Sequence, residues 1–291
     1  MEAINKESTL QRLKSYRKHP LSAILFLLVV ISAVITLTVL IALIAYILIK
    51  GIPNLSPELF EWEYTTENVS MMPAIINTLI ITALSLLFAL PVGICSAIYL
   101  VEYAKRGNKL VSIVRITTET LSGIPSIVYG LFGYLFFNIF LGWSYTILGG
   151  ALTLAIMILP LIMRTTEEAL IAVPDLYREG SFGLGAGKLR TVFRIVLPSA
   201  VPGILAGVIL AVGRIVGETA ALLYPAGTAT TVADGLMSSG RTLAVHMYAL
   251  LNEGLYMDQA YATAVVLLVV VIGINALSGL IAKKVGVKDR V

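Results

Sequence analysis

Arg214 and Glu218 are the only charged residues in the otherwise apolar run Ala200–Leu223. A charge inside a membrane helix is costly unless it is paired or meets water. Four residues apart, the two share one helical face. A mutual salt bridge locking two helices fits them, and so does a polar lining for a charged solute. At 1.5 Å per residue, Arg214 stands roughly 20 Å from the start of that helix, too deep for snorkelling to account for it. The lining is the reading taken forward. A second charged pair, Arg115 and Glu119, precedes Ser122-Gly123-Ile124-Pro125-Ser126, where Gly and Pro predict a kink. Glu119 is either a pathway carboxylate or the i,i+4 partner of Arg115, and the pair is the preferred reading.

No catalytic constellation accompanies these charges. The chain has neither H-E-x-x-H nor G-x-S-x-G. Gly183-Leu184-Gly185-Ala186-Gly187-Lys188 resembles a phosphate-binding loop and fails as one. The pattern needs Gly where Phe182 stands, and Ser or Thr where Leu189 stands. If ATP drives this protein, another subunit binds it. One cysteine and two histidines leave no basis for a disulfide framework or a metal site, and no cofactor is expected. Cys95 is expected as a small core residue.

The elements that must position the charges are membrane helices. Hydrophobic residues make up 58% of the 291 residues and charged ones 13%, about half the charge of an ordinary soluble domain. Leu21–Ile49, Pro73–Val101 and Ala260–Ala282 carry no charge, nor does Thr120–Met163, which holds two helices broken near Gly142-Trp143-Ser144. With Ala200–Leu223 this predicts six spans. The first lies in an N-terminal region, 1–72. The others fall near 73–101, 116–141, 145–163, 199–223 and 260–282 of a five-helix body over 73–282, with a basic tail at 283–291.

Basic residues set the orientation. Lys6, Arg12, Lys14, Arg17 and Lys18 place the N-terminal tail inside. Lys105, Arg106, Lys109 and Arg115 do the same for 102–115, as do Arg164, Arg178, Lys188, Arg190 and Arg194 for 164–198. Glu58, Glu61, Glu63 and Glu67 mark 51–72 as outside. Asp234, Glu253 and Asp258 against Arg241 mark 224–259 likewise. The tail, with Lys283, Lys284, Lys288 and Arg290, returns inside. Both termini are thus cytoplasmic. The basic residues serve topology, and no nucleic-acid partner is expected. Trp62, Trp143 and Tyr145 are candidate interfacial anchors.

On the fifth span Gly203, Ala206, Gly207, Ala211, Gly213, Gly217, Ala220 and Ala221 gather on one side. Small residues let helices approach closely, so this side is expected to face the bundle, with Leu205, Val208, Ile209, Val212, Ile215, Val216 and Leu223 opposite. The 164–198 stretch is long for a connector. Arg164–Val173 is expected to extend the fourth helix. Pro174 suits the first turn of a short helix, which Gly183, Gly185 and Gly187 would end. Leu176, Tyr177, Phe182 and Leu184 would then be exposed, implying a protein partner, the alternative being an interfacial helix lying on lipid.

Glu179-Gly180-Ser181, three residues, Gly185, nine residues, Ile195, one residue and Leu197-Pro198 resemble the signature loop of ABC importer permeases. That pattern has two alanines where Gly180 and Ser181 stand. Gly123–Gly133, Ile158–Leu170 and Val212–Ala221 are similar to phosphate-importer permeases of the PstA type. The resemblance implies a type I permease fold, all α-helical, with a cytoplasmic coupling helix containing Glu179 and Gly185. It implies a heterodimeric pore with a PstC-like second permease subunit. It also implies a cytoplasmic ATPase dimer, an extracytoplasmic phosphate-binding protein, and phosphate as solute, in a bacterial or archaeal plasma membrane. The alternatives are an importer of another oxyanion or solute, or a secondary transporter.

Overall fold

The computed structural model describes residues 20–105 and 107–288, and every regular element among them is helical. The chain divides into two compact units, residues 1–50 and 51–291. The described residues of the first belong to helix α1 (Pro20–Gly51), strongly apolar along its length, as a lipid-embedded helix requires. Its Ser32 and Thr36 hydroxyls donate to the Leu28 and Ser32 carbonyls within the helix, so that neither needs a partner from the lipid.

In the second unit, two short turns (Ile52–Asn54 and Pro57–Phe60) lead to α2 (Met72–Ile98), which continues through a π-helical turn, Tyr99–Tyr103. Next come α3 (Lys109–Ser122), α4 (Ser126–Gly133, with a π-helical turn Tyr134–Phe140) and α5 (Ile147–Ile171). The short α6 (Asp175–Gly183) follows. Then α7 (Lys188–Thr191) passes through a third π-helical turn, Val192–Val196, into α8 (Leu197–Val216). α9 (Ala220–Leu223), α10 (Leu243–Glu253) and α11 (Met257–Lys288) complete the unit. Local chemistry sets several starts: Asn108, Thr146 and Thr242 accept N–H groups from the first turns of α3, α5 and α10.

Among the described residues, five helices are long and apolar enough to cross a membrane, six if α3 and α4 count as one broken span. This is a multi-pass membrane protein. The span expected as one kinked helix over 116–141 is instead two helices bent by 102°. Pro125 supplies no N–H and disfavours helical backbone at Ile124, so the chain turns there.

α2 packs along α5, and α5 against α8. Ile81, Leu154, Ile158, Ile162 and Ile215 are buried between them. In lipid, apolar contact alone favours association weakly, so close packing and interhelical hydrogen bonds matter. Ser85 supplies one: its hydroxyl donates to the Ala151 carbonyl across the α2–α5 interface, 3.1 Å. Gly207 supplies the other term, because any side chain there would collide with Thr165 of α5.

The small-residue face of the fifth span is only half right. Gly207, Ala211 and Ala221 are buried, but Ala206 and Gly217 are exposed, while Val212, Ile215 and Val216 point inward. Cys95 also departs from expectation, lying exposed on α2.

Candidate functional site

α3 has no buried residue, yet its polar side chains are ordered by helical spacing. Ser112, Arg115, Thr118, Glu119 and Ser122 share one face and line two adjoining hollows. One, about 410 Å³, is closed by Pro160, Leu161, Arg164, Glu167 and Glu168 of α5 and Arg214 of α8. The other, about 760 Å³, lies toward Lys105 and Lys109. α3, set at 102° to α4 by the bend at Pro125, forms one wall of this cleft.

Arg115, Glu119 and Arg214 are therefore brought together, but not in the expected pairs. Arg115 bonds Glu167 of α5 at 3.1 Å, not Glu119. Arg164 and Glu168 form an i,i+4 pair at 3.1 Å. Glu218 leaves the set altogether. α8 ends at Val216, so Glu218 lies beyond the helix, and its carboxylate accepts the Ala221 N–H at 3.1 Å. It caps the short α9 rather than neighbouring Arg214 on a helical face. Arg214 and Glu119 have no ion-pair partner among the described residues. Arg214 thus presents a permanently charged, planar fork of donors to the cleft, a shape that suits an oxyanion.

The second group of predicted residues surrounds α6. Pro174 stands just before the helix rather than in its first turn. Leu176, Tyr177, Phe182 and Leu184 are exposed, Leu184 at 91%. Glu179 and Gly180 are exposed beside them. Gly185 has φ +81°, a left-handed conformation that a β-branched residue resists. Ser181, Gly185 and Ile195 line one concave notch with Arg190 and Arg194. Leu197 and Pro198 begin α8, where Pro198 borders a separate hollow with Tyr177.

Sequence reasoning missed the residues that hold these elements. Arg178 donates to Glu102 at 2.7 Å, with both side chains largely buried. Glu167 was within reach, since it stands in one of the stretches that carried the resemblance. At the other end of α5, the 224–259 stretch expected as an acidic outer loop is folded into the bundle through residues 224–256. Asn77 of α2 donates to the carbonyls of Thr231 and Arg241 and accepts the Ala233 N–H. Arg241 is buried with its guanidinium 4.8 Å from the Tyr64 ring centre. His246 is fully buried beside it. Burial, and then the Arg241 charge, push the His246 pKa down to about 3. Among the expected anchors, Trp62 is exposed, Trp143 stacks on Phe137 and Tyr145 on Tyr134.

Residues 89–287 match the family model described as "binding-protein-dependent transport system inner membrane component". The chain is 36% identical over 248 residues to a probable ABC transporter permease protein, YqgI, of Bacillus subtilis, covering 78% of this chain and 82% of that one. It is 34% identical to phosphate transport system permease protein PstA 1 of Mycobacterium tuberculosis, over 72% of this chain and 69% of that one. It is also 34% identical to phosphate transport system permease protein PstA of Haemophilus influenzae, over 75% and 77%. A chain of a bacterial alginate ABC transporter shares the fold with a TM-score of 0.70, 16% identity and coverage of 93% and 98%. A chain of the MetNI methionine ABC transporter, described as inward facing, gives 0.61, 23%, 73% and 94%.

Proposed function

The chain belongs to the binding-protein-dependent transport system inner membrane components, and from that premise we propose that it is the permease subunit of an ATP-driven phosphate importer. It forms half of the translocation pore, with a PstC-like subunit forming the other half. The cleft between α3, α5 and α8 is its share of the solute path, and Arg214 supplies positive potential there. α6 is the coupling helix. Glu179, Gly180, Ser181 and Gly185 on and after it, with Ile195, Leu197 and Pro198 leading into α8, form the surface and hinge on which a cytoplasmic ATPase dimer acts. Both termini are cytoplasmic, and an extracytoplasmic phosphate-binding protein delivers the solute at the far end. The subunit itself carries no ATPase chemistry.

The observation that carries this reading is Arg214, an arginine without an ion-pair partner among the described residues, standing in a cleft of a chain similar to phosphate transport permeases over most of its length. Arginine meets tetrahedral oxyanions with two parallel hydrogen bonds, which a lysine cannot reproduce.

The test is uptake of radiolabelled phosphate by vesicles holding the full complex, with sulfate and molybdate as competitors. Saturable, ATP-dependent phosphate uptake that neither competitor suppresses supports the reading. Uptake abolished by sulfate or molybdate, with no phosphate accumulation, assigns the pore to another oxyanion.

A further inference from the structure

An element that is pushed by a partner must be fastened to what it moves, and α6 has an unusual fastening. Of its residues only Ser181 is buried. Leu176, Tyr177 and Phe182 face outward, so no apolar core of its own holds the helix to the bundle. Polar bonds do. Arg178 donates through Nε and Nη2 to one oxygen of Glu102, at 3.1 and 2.7 Å. It also donates to the Leu170 and Val173 carbonyls at the end of α5, at 2.9 and 2.8 Å. On the other side of α6, the Ser181 hydroxyl shares a 2.8 Å hydrogen bond with the Thr191 hydroxyl, both residues buried.

Both fastenings end on π-helical turns. Glu102 lies inside the turn Tyr99–Tyr103 that closes α2, and Thr191 immediately precedes the turn Val192–Val196 that opens α8. A π-helical turn holds one extra residue between its hydrogen-bonded partners, and such turns cluster at functional sites. Exchanging that register for the α-helical one rotates whatever helix follows. Past the second turn the chain runs unbroken into α8, whereas the first ends in extended backbone at Ala104 and reaches α3, from Lys109, as a tether and not by rotation. Their side chains, Arg115, Thr118, Glu119 and Arg214, line the cleft. Lys188 of α7, which leads into the second turn, lies 5.0 Å over the ring of Tyr103 in the first.

We propose that Arg178–Glu102 and Ser181–Thr191 are positioning pairs that carry displacement of α6 through the two π-helical turns into the cleft-lining helices α3 and α8. The inference rests on α6 being the coupling helix. It is independent of which solute crosses.

The experiment uses the assembled complex with its ATPase subunits, a Cys95→Ala background and a reporter cysteine at Thr118→Cys. The rate of labelling by a small thiol reagent is read with and without ATP, and phosphate uptake of the wild-type complex is measured in parallel. With both pairs intact, ATP is expected to change the labelling rate severalfold. In Arg178→Gln that response is lost although the complex assembles and hydrolyses ATP, and in Glu102→Gln, which keeps an acceptor oxygen but not the charge, it is weakened. The double variant loses no more than Arg178→Gln alone, because the Arg178–Glu102 ion pair is already absent there. Arg178→Lys restores part of the response. Ser181→Ala weakens it through the other pair.

A full ATP response in assembled Arg178→Gln overturns the proposal. So does a wild-type complex whose labelling ignores ATP. If Arg178→Gln fails to assemble, Glu102→Gln and Ser181→Ala decide. Loss of assembly in all three variants makes the pairs structural and overturns it too. Absence of phosphate uptake with an intact ATP response would sink the phosphate reading alone.

Discussion

At one end of α5, beside α6, apolar side chains point outward and the fastening is polar. At the other end, where residues 224–256 fold over the bundle, the polar groups are sealed and the apolar ones close over them. Leu176 and Leu184 are 74% and 91% exposed, whereas Arg241 is 4% exposed and His246 fully buried. An element whose partner is another protein can keep its apolar surface free until that partner arrives. A segment that must close the end of a membrane bundle by itself has to satisfy its backbone internally, and Asn77, bonded to three backbone groups of the 231–241 segment, does that.

The largest effect is expected at the exposed end. Gly185→Val places a β-branched residue at φ +81°, where even an ordinary L-residue costs roughly 1–2 kcal/mol. Phosphate uptake, normalised to assembled complex in membranes, should fall to background, while Gly185→Asn, which tolerates that conformation, should retain most of it. Normal uptake in Gly185→Val would show that the turn after α6 is not a fixed docking surface.

Next in size is the cleft between the two ends. Arg214→Gln should lower uptake by roughly tenfold or more, the factor that about 1.4 kcal/mol of lost anion attraction produces, without loss of assembly. Arg214→Lys should keep partial activity. Because Glu218 caps α9 rather than pairing with Arg214, Arg214→Gln/Glu218→Gln should be no more active than Arg214→Gln alone. Recovery in the double variant would restore the ion-pair reading.

Much of this was legible in the sequence, and the exceptions have a common cause. α6 could be read because everything that defines it is local: Pro174 before it, the glycines after it, and a spaced signature across Glu179–Pro198. Arg115 paired with Glu119 on paper because helical spacing is all a sequence offers. The fold gave it Glu167 instead, 52 positions away. The 102° bend was visible only as Gly123 and Pro125, because hydropathy measures the length of an apolar run and not its direction. α8 was drawn through to Leu223 for the same reason. The sealed end was illegible because its bonds join positions 154 to 164 residues apart, and buried polar residues there look like any loop residues.

That sealed end provides a smaller, pH-dependent effect. The folded-state pKa of His246, about 3, lies below the ordinary value of 6.5. The neutral ring is therefore favoured in the fold, and stability is complete above about pH 6.5 and declines as pH falls toward 3. Between pH 7 and pH 5 the loss should be about 2 kcal/mol. Thermal unfolding of the detergent-solubilised complex should show a lower Tm at pH 5, and His246→Phe should flatten that dependence. An unchanged slope in the variant would mean that His246 is not sealed.

The smallest effect belongs to Glu218. Glu218→Gln keeps an oxygen that can accept the Ala221 N–H, so only the charge on the cap is lost, worth about 0.3–1 kcal/mol at a helix N-terminus. Uptake should stay near the wild-type level, in contrast to Arg214→Gln.

The division of labour between the two ends is tested most directly by locating the ATPase. A photo-crosslinker is attached to a single cysteine in the Cys95→Ala background, at Leu184→Cys beside α6 or at Trp62→Cys in the acidic loop, in membranes containing the assembled complex. Capture of the ATPase subunit from position 184 and not from 62 is expected. Capture from 62 and not from 184 would contradict the assignment of α6 as the helix through which ATP drives transport.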